Sequence, residues 1–306
     1  MARRIATRLL LGLFTVTAVV LLTFVLQYVV PGDPARSIAG PKASAEVLSE
    51  VRARLHLDDP LWSQLGHYLS SVATGDLGTS YSTDRPVLSL ILERLPATAA
   101  LAAAALTVEV VLGGLWGLWE AMRPKRSWLL ATLNVGLLSV PVFSLGFLLL
   151  LMFGYQLALF PIDGGTGLPQ IVLPTLTLGI LGAPYYANVV RDSTREALSS
   201  PYVRTAVSKG LSRRRIITRH VLRNTASPVT TLLGMDVAVF LSGAVFVEKI
   251  FGWPGIGQMQ TEAFAELDRP VLTGTVIVAA AFVVTANLLV DLIRSAIDPR
   301  AATEAP

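Results

Sequence analysis

Long apolar runs, separated by short polar connections, dominate the pattern of this chain. The first runs uncharged from Leu9 to Val30, 22 residues, behind Arg3, Arg4 and Arg8. That is long enough to cross a bilayer as a helix. It is too long for the apolar core of a signal peptide and ends in Tyr28, Val29, Val30 and Pro31, not in a small-residue cleavage site, so it reads as a retained span. Further spans are expected at about Ala97 to Trp119, Leu129 to Phe153, Ile171 to Val190, from after Pro228 to about Val247, and Val271 to Ile293.

The apolar pattern breaks between Pro31 and Arg94, where eight acidic and six basic residues intervene. A balanced segment of this length belongs outside the membrane. Within it, Ser44 to Leu57 has Val47, Leu48, Val51 and Leu55 on one helical side. Asp59 and Pro60 cap and start a second helix with Leu61, Leu65, Tyr68, Leu69 and Val72 in its apolar stripe. Trp62 and Tyr68 suit a membrane interface. The chain thus divides into residues 1–30, with the first span; 31–94, external; 95–293, with five further spans; and a polar tail, 294–306.

Polar groups inside apolar runs are candidates for function, because a carboxylate at bilayer depth costs roughly 2.5–3.5 kcal/mol and faces a bundle interior or cavity. Glu109, Asn134 and Asp236 are such groups, and Asn287 and Asp291 lie in the last run. Asp236 is read either as lining a translocation path, where it attracts a protonated amino group, or as a local partner for a helix end. Glu109 is read as a pathway group or as a protonated or paired structural residue. Gly113 and Gly117 form a small-xxx-small face for close helix contact. Pro141, Pro174 and Pro184 are expected bending points.

The longest polar interruption after the external segment runs from Arg191 to Pro228 and holds nine Lys or Arg against Asp192 and Glu196. Such positive charge between spans points to the cytoplasm. With three basic residues before the first span, three after the second and two in the tail, 17 of the 25 Lys and Arg fall on one side. Six spans with both ends inside is the consistent topology. In the island, Ser200 and Pro201 start a short helix that Gly210 ends in a left-handed turn. Tyr202, Val203, Ala206 and Val207 share one face of it; Arg204, Thr205, Ser208 and Lys209 share the other. Ser212 starts a second helix with Arg215, Arg219 and Arg223 in a stripe and Ile217 and Val221 on a different face. Together they make a compact basic knob.

Composition agrees: of 306 residues 53% are hydrophobic and 15% charged, as in an integral membrane protein. The net charge of +4 follows from the basic loops and is no nucleic-acid signal. The absence of cysteine removes disulfides and thiol chemistry, and three histidines, His56, His67 and His220, cannot build a histidine-rich metal centre. There is no G-x-x-x-x-G-K-[S/T] phosphate loop, no H-E-x-x-H and no G-x-S-x-G. Energy for any active process must come from another subunit.

The island resembles the EAA loop of ABC-importer permeases in the form used by the dipeptide, oligopeptide and nickel family. The match is Tyr202-Val203-Arg204-Thr205-Ala206, then Lys209-Gly210-Leu211, then His220-Val221-Leu222-Arg223-Asn224. Arg204-Thr205-Ala206 stands where the general pattern has Glu-Ala-Ala, and Arg223 where it has a late proline, both as in the peptide subfamily. Four turns resemble the same permeases in order: Pro31-Gly32-Asp33-Pro34-Ala35, Leu57-Asp58-Asp59-Pro60, Gly75-Asp76-Leu77-Gly78-Thr79-Ser80 and Arg94-Leu95-Pro96-Ala97-Thr98. Val247-Glu248-Lys249-Ile250-Phe251-Gly252-Trp253-Pro254-Gly255-Ile256-Gly257 resembles the VE-x-x-F-x-WPG-x-G signature. Asp236 stands where such permeases more often have a neutral amide.

The resemblance, closest to the dipeptide permease B-type subunit, implies an all-α membrane protein of type I ABC-importer architecture in a bacterial cytoplasmic membrane. It implies a second homologous permease, two ATPase subunits or one fused ATPase, and an external substrate-binding protein. ATP and Mg would sit on the ATPases, with no cofactor in this chain. Coupling would fall to residues 200–224, chiefly Tyr202, Arg204, Thr205, Ala206, Lys209, Gly210, Leu211 and Arg213. Dipeptides or short oligopeptides are the expected cargo; a nickel chelate, haem, glutathione or another small ligand is the alternative. A proton-driven secondary transporter using Glu109 or Asp236 is the competing class, but it leaves the basic knob without a purpose and calls for internal repeats that the two halves lack.

Overall fold

The computed structural model describes residues 2–29, 35–36, 40, 43–54, 57–123, 128–241 and 244–297. Among them the chain is helical, with one isolated antiparallel bridge between Thr79 and Pro86. The helices are α1 (Ala2–Val29), α2 (Ala45–Arg54), α3 (Leu61–Ala73), α4 (Val87–Ala121), α5 (Trp128–Ser139) and α6 (Val142–Leu149), which continues as a π-helix over Leu150–Gln156. Then come α7 (Leu168–Ser199), α8 (Pro201–Ser208), α9 (Arg213–Ile216) with a π-turn over Ile217–Val221, α10 (Leu222–Leu241), α11 (Val245–Phe251), α12 (Ile256–Glu266) and α13 (Arg269–Ile297).

Among the described residues α1, α4, α7 and α13 are each long and apolar enough to cross a membrane, and α5 with α6, bent by 99° at their junction, together have the length and apolarity of a broken span or a re-entrant loop. The predicted kink at Pro141 is therefore a break, with Pro141 extended at the start of α6. The segment expected as the fifth span is divided: α10 ends at Leu241 and α11 begins at Val245. Pro228 lies inside α10 instead of preceding it.

Two predicted spans extend well beyond their apolar cores. α4 has 35 residues with Pro96 inside, and α7 has 32 with Pro174 and Pro184 inside. At 1.5 Å per residue α7 is about 48 Å long, against a hydrocarbon core of roughly 30 Å. Its last turns are the charged stretch Arg191 to Ser199, so the helix carries on into the island.

The α4–α7 pair is the most extensive helix contact and the axis of the fold; α10 lies against α4, α7 and α13, and α1 against α13. One apolar core joins Leu101, Leu173, Phe251 and Trp253 across α4, α7 and the turn after α11. A second joins Val87 and Ile91 of α4 to Ile256 and Met259 of α12 and Val271 of α13. A third lies inside the knob.

Candidate functional site

The knob folds around five buried residues: Ala197 at the end of α7, Val203 and Ala206 of α8, and Ile216 and Val221 beyond the glycine turn. Gly210 has φ of +72°, the left-handed conformation that a glycine adopts without penalty. Its N–H donates to the Val207 carbonyl, and Leu211 N–H to the Ala206 carbonyl, closing the end of α8.

Three details differ from the sequence-based expectation. The Ser200 hydroxyl donates back to the Ala197 carbonyl and does not cap α8. Of the expected apolar face only Val203 and Ala206 are buried, while Tyr202 and Val207 are 42% and 59% exposed. Beyond the turn the buried pair is Ile216 and Val221, five residues apart, because the π-turn shifts the register that would otherwise bury Ile217. Arg204, Thr205, Lys209, Arg214, Arg215 and Arg219 are exposed and Leu211 is half-buried; the side chain of Arg213 lies outside the described residues. The knob therefore presents an aromatic and an aliphatic group among cations, over a small core of its own.

A close helix seam leads away from the knob. Cβ atoms on Gly113 and Gly117 of α4 would overlap the Ala183 and Ala187 carbonyl oxygens of α7, and one on Gly179 of α7 would overlap Val108. The small residues let the two backbones touch. At the end of this seam the guanidinium of Arg191 (8% exposed) lies 3.5 Å from the carboxylate of Glu120 (1% exposed). It also donates to Asp192 at 2.8 Å and to the Asn188 Oδ1 at 2.9 Å. Asn188 in turn donates to Asn134 Oδ1 at 3.0 Å, and Arg195 donates to the Glu120 carbonyl at 3.3 Å, where a cation also suits a helix C-terminus. Polar contacts thus tie α7, just above the knob, to α4 and α5.

Of the expected pathway residues, Glu109 and Asp236 lie within electrostatic reach of one another beside Tyr186, and Asn134 meets the same stretch of α7 through the Pro184 carbonyl. Asn134 is buried in the network just described. Asp236 is half-buried on α10, its carboxylate accepting a 2.6 Å hydrogen bond from the Tyr186 hydroxyl of α7. Glu109, 3% exposed, is pressed against Gly182, where a Cβ would overlap its carboxyl group. Among the described residues no group of three or more His, Asp or Glu is arranged for a metal ion.

The motifs at the other end of the seam join one another. Thr98 donates to Glu248 Oε1 at 2.9 Å and accepts from Ile256 N–H at 2.8 Å. Glu248 Oε2 accepts from Gln258 N–H at 3.0 Å, so a fully buried carboxylate sits on the N-terminus of α12. The Trp253 indole donates to the Ala97 carbonyl at 2.9 Å. The Arg94–Thr98 stretch, expected as a turn, is part of α4, and with the Trp-Pro-Gly turn it forms one buried knot. Similarly, Ser80 and Ser82 donate to Asp268 Oδ2 at 2.6 and 3.1 Å, fastening the Gly75–Ser80 turn to the start of α13. Sequence reasoning singled out neither Thr98 nor Asp268 individually, nor Tyr186, Asn188 or Glu120; it flagged only the Arg94–Thr98 motif and the apolar run that holds Tyr186 and Asn188, and gave no signal for Glu120 or Asp268.

The architecture is a multi-span helical unit with a basic projection at the end of α7. Residues 109–303 match the family of inner membrane components of binding-protein-dependent transport systems, and residues 1–102 match that family's N-terminal region. The chain belongs to this family, as an ABC-importer permease of the dipeptide, oligopeptide and nickel type whose ATPase resides on partner subunits. It is 37% identical over 295 residues to the glutathione transport system permease protein GsiC of Escherichia coli (strain K12), covering 95% of this chain and 96% of that protein. The GsiC of Salmonella typhimurium is 38% identical over the same extent. Among solved structures, an inward-facing MetNI methionine ABC transporter shares the fold with a TM-score of 0.56 at 15% identity, over 69% of this chain and 97% of that one. An amino acid ABC transporter crystallised with histidines does so with a TM-score of 0.51 at 17% identity, over 68% and 94%.

Proposed function

We propose that this chain, paired with a second related permease, forms the path by which an ATP-driven importer carries dipeptides or short oligopeptides inward. Glutathione is itself a tripeptide, so the 37–38% identity to glutathione permeases supports a peptide-like cargo. A nickel chelate, haem or another small ligand is the alternative cargo for the same machine. Selection is expected to rest mainly with the external binding protein. Both chain ends face the cytoplasm in this reading, as the distribution of Lys and Arg supports.

The observation that carries the mechanism is the knob: Tyr202, Val207, Arg204 and Lys209 exposed over a separate buried core, directly at the end of a helix about 48 Å long. In our reading the knob docks on a cytoplasmic ATPase, with Thr205, Ala206, Gly210, Leu211 and Arg213 shaping it. Closure of the ATPase pair on ATP displaces it, and α7 carries the motion along the glycine seam to α4. The cavity between the two permeases then opens outward, takes cargo from the binding protein, and returns inward after hydrolysis. Asp236 would meet the amino group of the cargo, with Glu109 and Asn134 deeper in the bundle.

The test is ATP-dependent uptake of a labelled dipeptide, and separately of labelled glutathione, into vesicles carrying the whole complex. Gly210→Pro, which cannot adopt the positive φ of this position, is the control. Uptake that needs ATP and is lost in the variant with assembly intact is the expected result. ATP-independent uptake surviving the variant would restore the secondary-transporter reading. Asp236→Asn is expected to weaken uptake of peptides with a free amino terminus more than of N-acetylated ones; equal uptake of both would remove Asp236 from the path.

A further inference from the structure

Helix α3 carries no Asp, Glu, Lys or Arg in its 13 residues, although the segment around it is strongly charged. Its side chains divide into three sectors at helical spacing. Tyr68 and Val72 turn inward and are half-buried. Ser70 and Thr74 lie on an exposed polar side. Trp62, Leu69 and Ala73, seven and four residues apart, form an exposed apolar side; Trp62 is 82% and Leu69 37% exposed. An exposed tryptophan on an uncharged helix of an external segment needs an apolar neighbour.

The depth of the helix identifies that neighbour. The Tyr68 hydroxyl is 3.0 Å from the Thr23 hydroxyl of α1, and its ring lies 5.6 Å from that of Phe24. Thr23 is six residues before the end of α1 at Val29, or about 9 Å along its axis at 1.5 Å per residue. On the topology proposed above, with the amino end of α1 inside, the middle of α3 is thereby fastened below the outer end of that span, at the level of the headgroup and upper acyl region. Amphipathic helices lie with their apolar side about 5–10 Å into that boundary, and Trp is enriched there.

We propose that α3 is an interfacial helix seated in the outer leaflet, with Trp62, Leu69 and Ala73 among lipid chains and Ser70 and Thr74 toward water. It anchors the external segment to the bilayer beside α1. This holds the platform on which a substrate-binding protein would land at a fixed height.

The chain has no cysteine, so a single introduced cysteine is its one labelling site, and the complex of the cysteine-free chain, labelled in parallel, gives the background from the other subunits. Trp62→Cys, Leu69→Cys, Ala73→Cys, Ser70→Cys and Thr74→Cys are made in the assembled complex, with Glu50→Cys on α2 as the aqueous reference. After reconstitution in phosphatidylethanolamine–phosphatidylglycerol liposomes, collisions of each label with oxygen and with nickel ethylenediaminediacetate are measured. Expected is a helical alternation: the oxygen-to-nickel ratio at 62, 69 and 73 several-fold above that at 70, 74 and 50. A ratio at 62 and 69 equal to that at Glu50 would place the face in water and overturn the proposal. Shielding of 62 and 69 from both reagents would mean that protein covers the face, and would overturn it equally.

Discussion

Replacing Thr98 by Val changes almost no volume but removes a hydroxyl that is 1% exposed and makes two bonds. It takes the 2.9 Å donor from Glu248, a carboxylate with no exposure, and the 2.8 Å acceptor from Ile256 N–H at the start of α12. A hydrogen bond to a charged group contributes about 1.5–3 kcal/mol, and a buried N–H left unpaired costs about 1–3 kcal/mol more. The expected loss is therefore about 2.5–6 kcal/mol, whereas Thr98→Ser keeps both bonds and loses a methyl group, about 0.5–1.5 kcal/mol. Interhelical hydrogen bonds in membranes average only about 0.6 kcal/mol, because the unfolded chain finds other partners there. A buried carboxylate that also serves the Gln258 N–H at 3.0 Å has few such substitutes, so the larger figure is preferred. Equilibrium unfolding of the detergent-solubilised complex, compared among wild type, Thr98→Val and Thr98→Ser, measures it. A loss in Thr98→Val of 0.6 kcal/mol or less, or one equal to that of Thr98→Ser, would refute the reasoning.

Gly113→Ala and Gly117→Ala each drive a methyl group into an α7 carbonyl and should cost about 1–3 kcal/mol by the same unfolding assay; Gly114→Ala, with nothing within 4 Å, should be neutral or stabilising by up to about 1 kcal/mol. Arg191→Ala strands the Glu120 carboxylate and should destabilise by about 3–5 kcal/mol, while Glu120→Gln leaves Arg191 its bonds to Asp192 and should cost clearly less; equal losses would contradict the network. In the knob, Tyr202→Ala and Arg204→Ala should lower ATP-driven uptake with unchanged melting, and Val203→Asp, at a site 4% exposed, should lower both. Two glycines inserted between Ser199 and Ser200 should loosen the joint between α7 and α8, keeping ATP hydrolysis and reducing uptake; undiminished uptake would show that α7 is not the lever.

Hydropathy makes the membrane helices legible because about 20 apolar residues in a row have few other uses in a protein. The same signal misplaces their ends. Arg191 to Ser199 reads as loop by charge, yet Arg195, Glu196, Ala197 and Leu198 are good helix formers and continue α7 until Pro201 and the extended Ser200 stop it. Pro141 announces a kink, but not whether the two halves meet at a shallow angle or at the 99° observed; packing of α6 against α7 and α11 settles that. The π-turn that exchanges Ile217 for Ile216 in the knob core has no marker among Arg213 to Val221, since those residues form an α-helix equally well.

The motifs were legible one at a time, and their meaning lies in pairs. The Gly75–Ser80 and Trp253–Gly257 turns have local conformations that their own residues explain, whereas Arg94–Thr98 continues as helix through Pro96 and Pro31–Pro34 lies outside the described residues. Nothing local says that Thr98 serves Glu248, 150 residues away, or that Ser80 serves Asp268, 188 residues away. Yet these pairs give the turns their shape: a side chain at Gly255 would strike the Glu248 carboxylate that caps α12, and one at Gly257 would strike the Val245 backbone and the same carboxylate. A buried carboxylate requires its donors, the donors require two backbones to meet, and the meeting requires glycine. The glycines of the Trp-Pro-Gly turn thus follow from a single buried carboxyl group whose hydrogen bonds must be satisfied in the interior, whereas the outward face of the knob at the other end of α4 and α7 carries exposed side chains instead of buried ones.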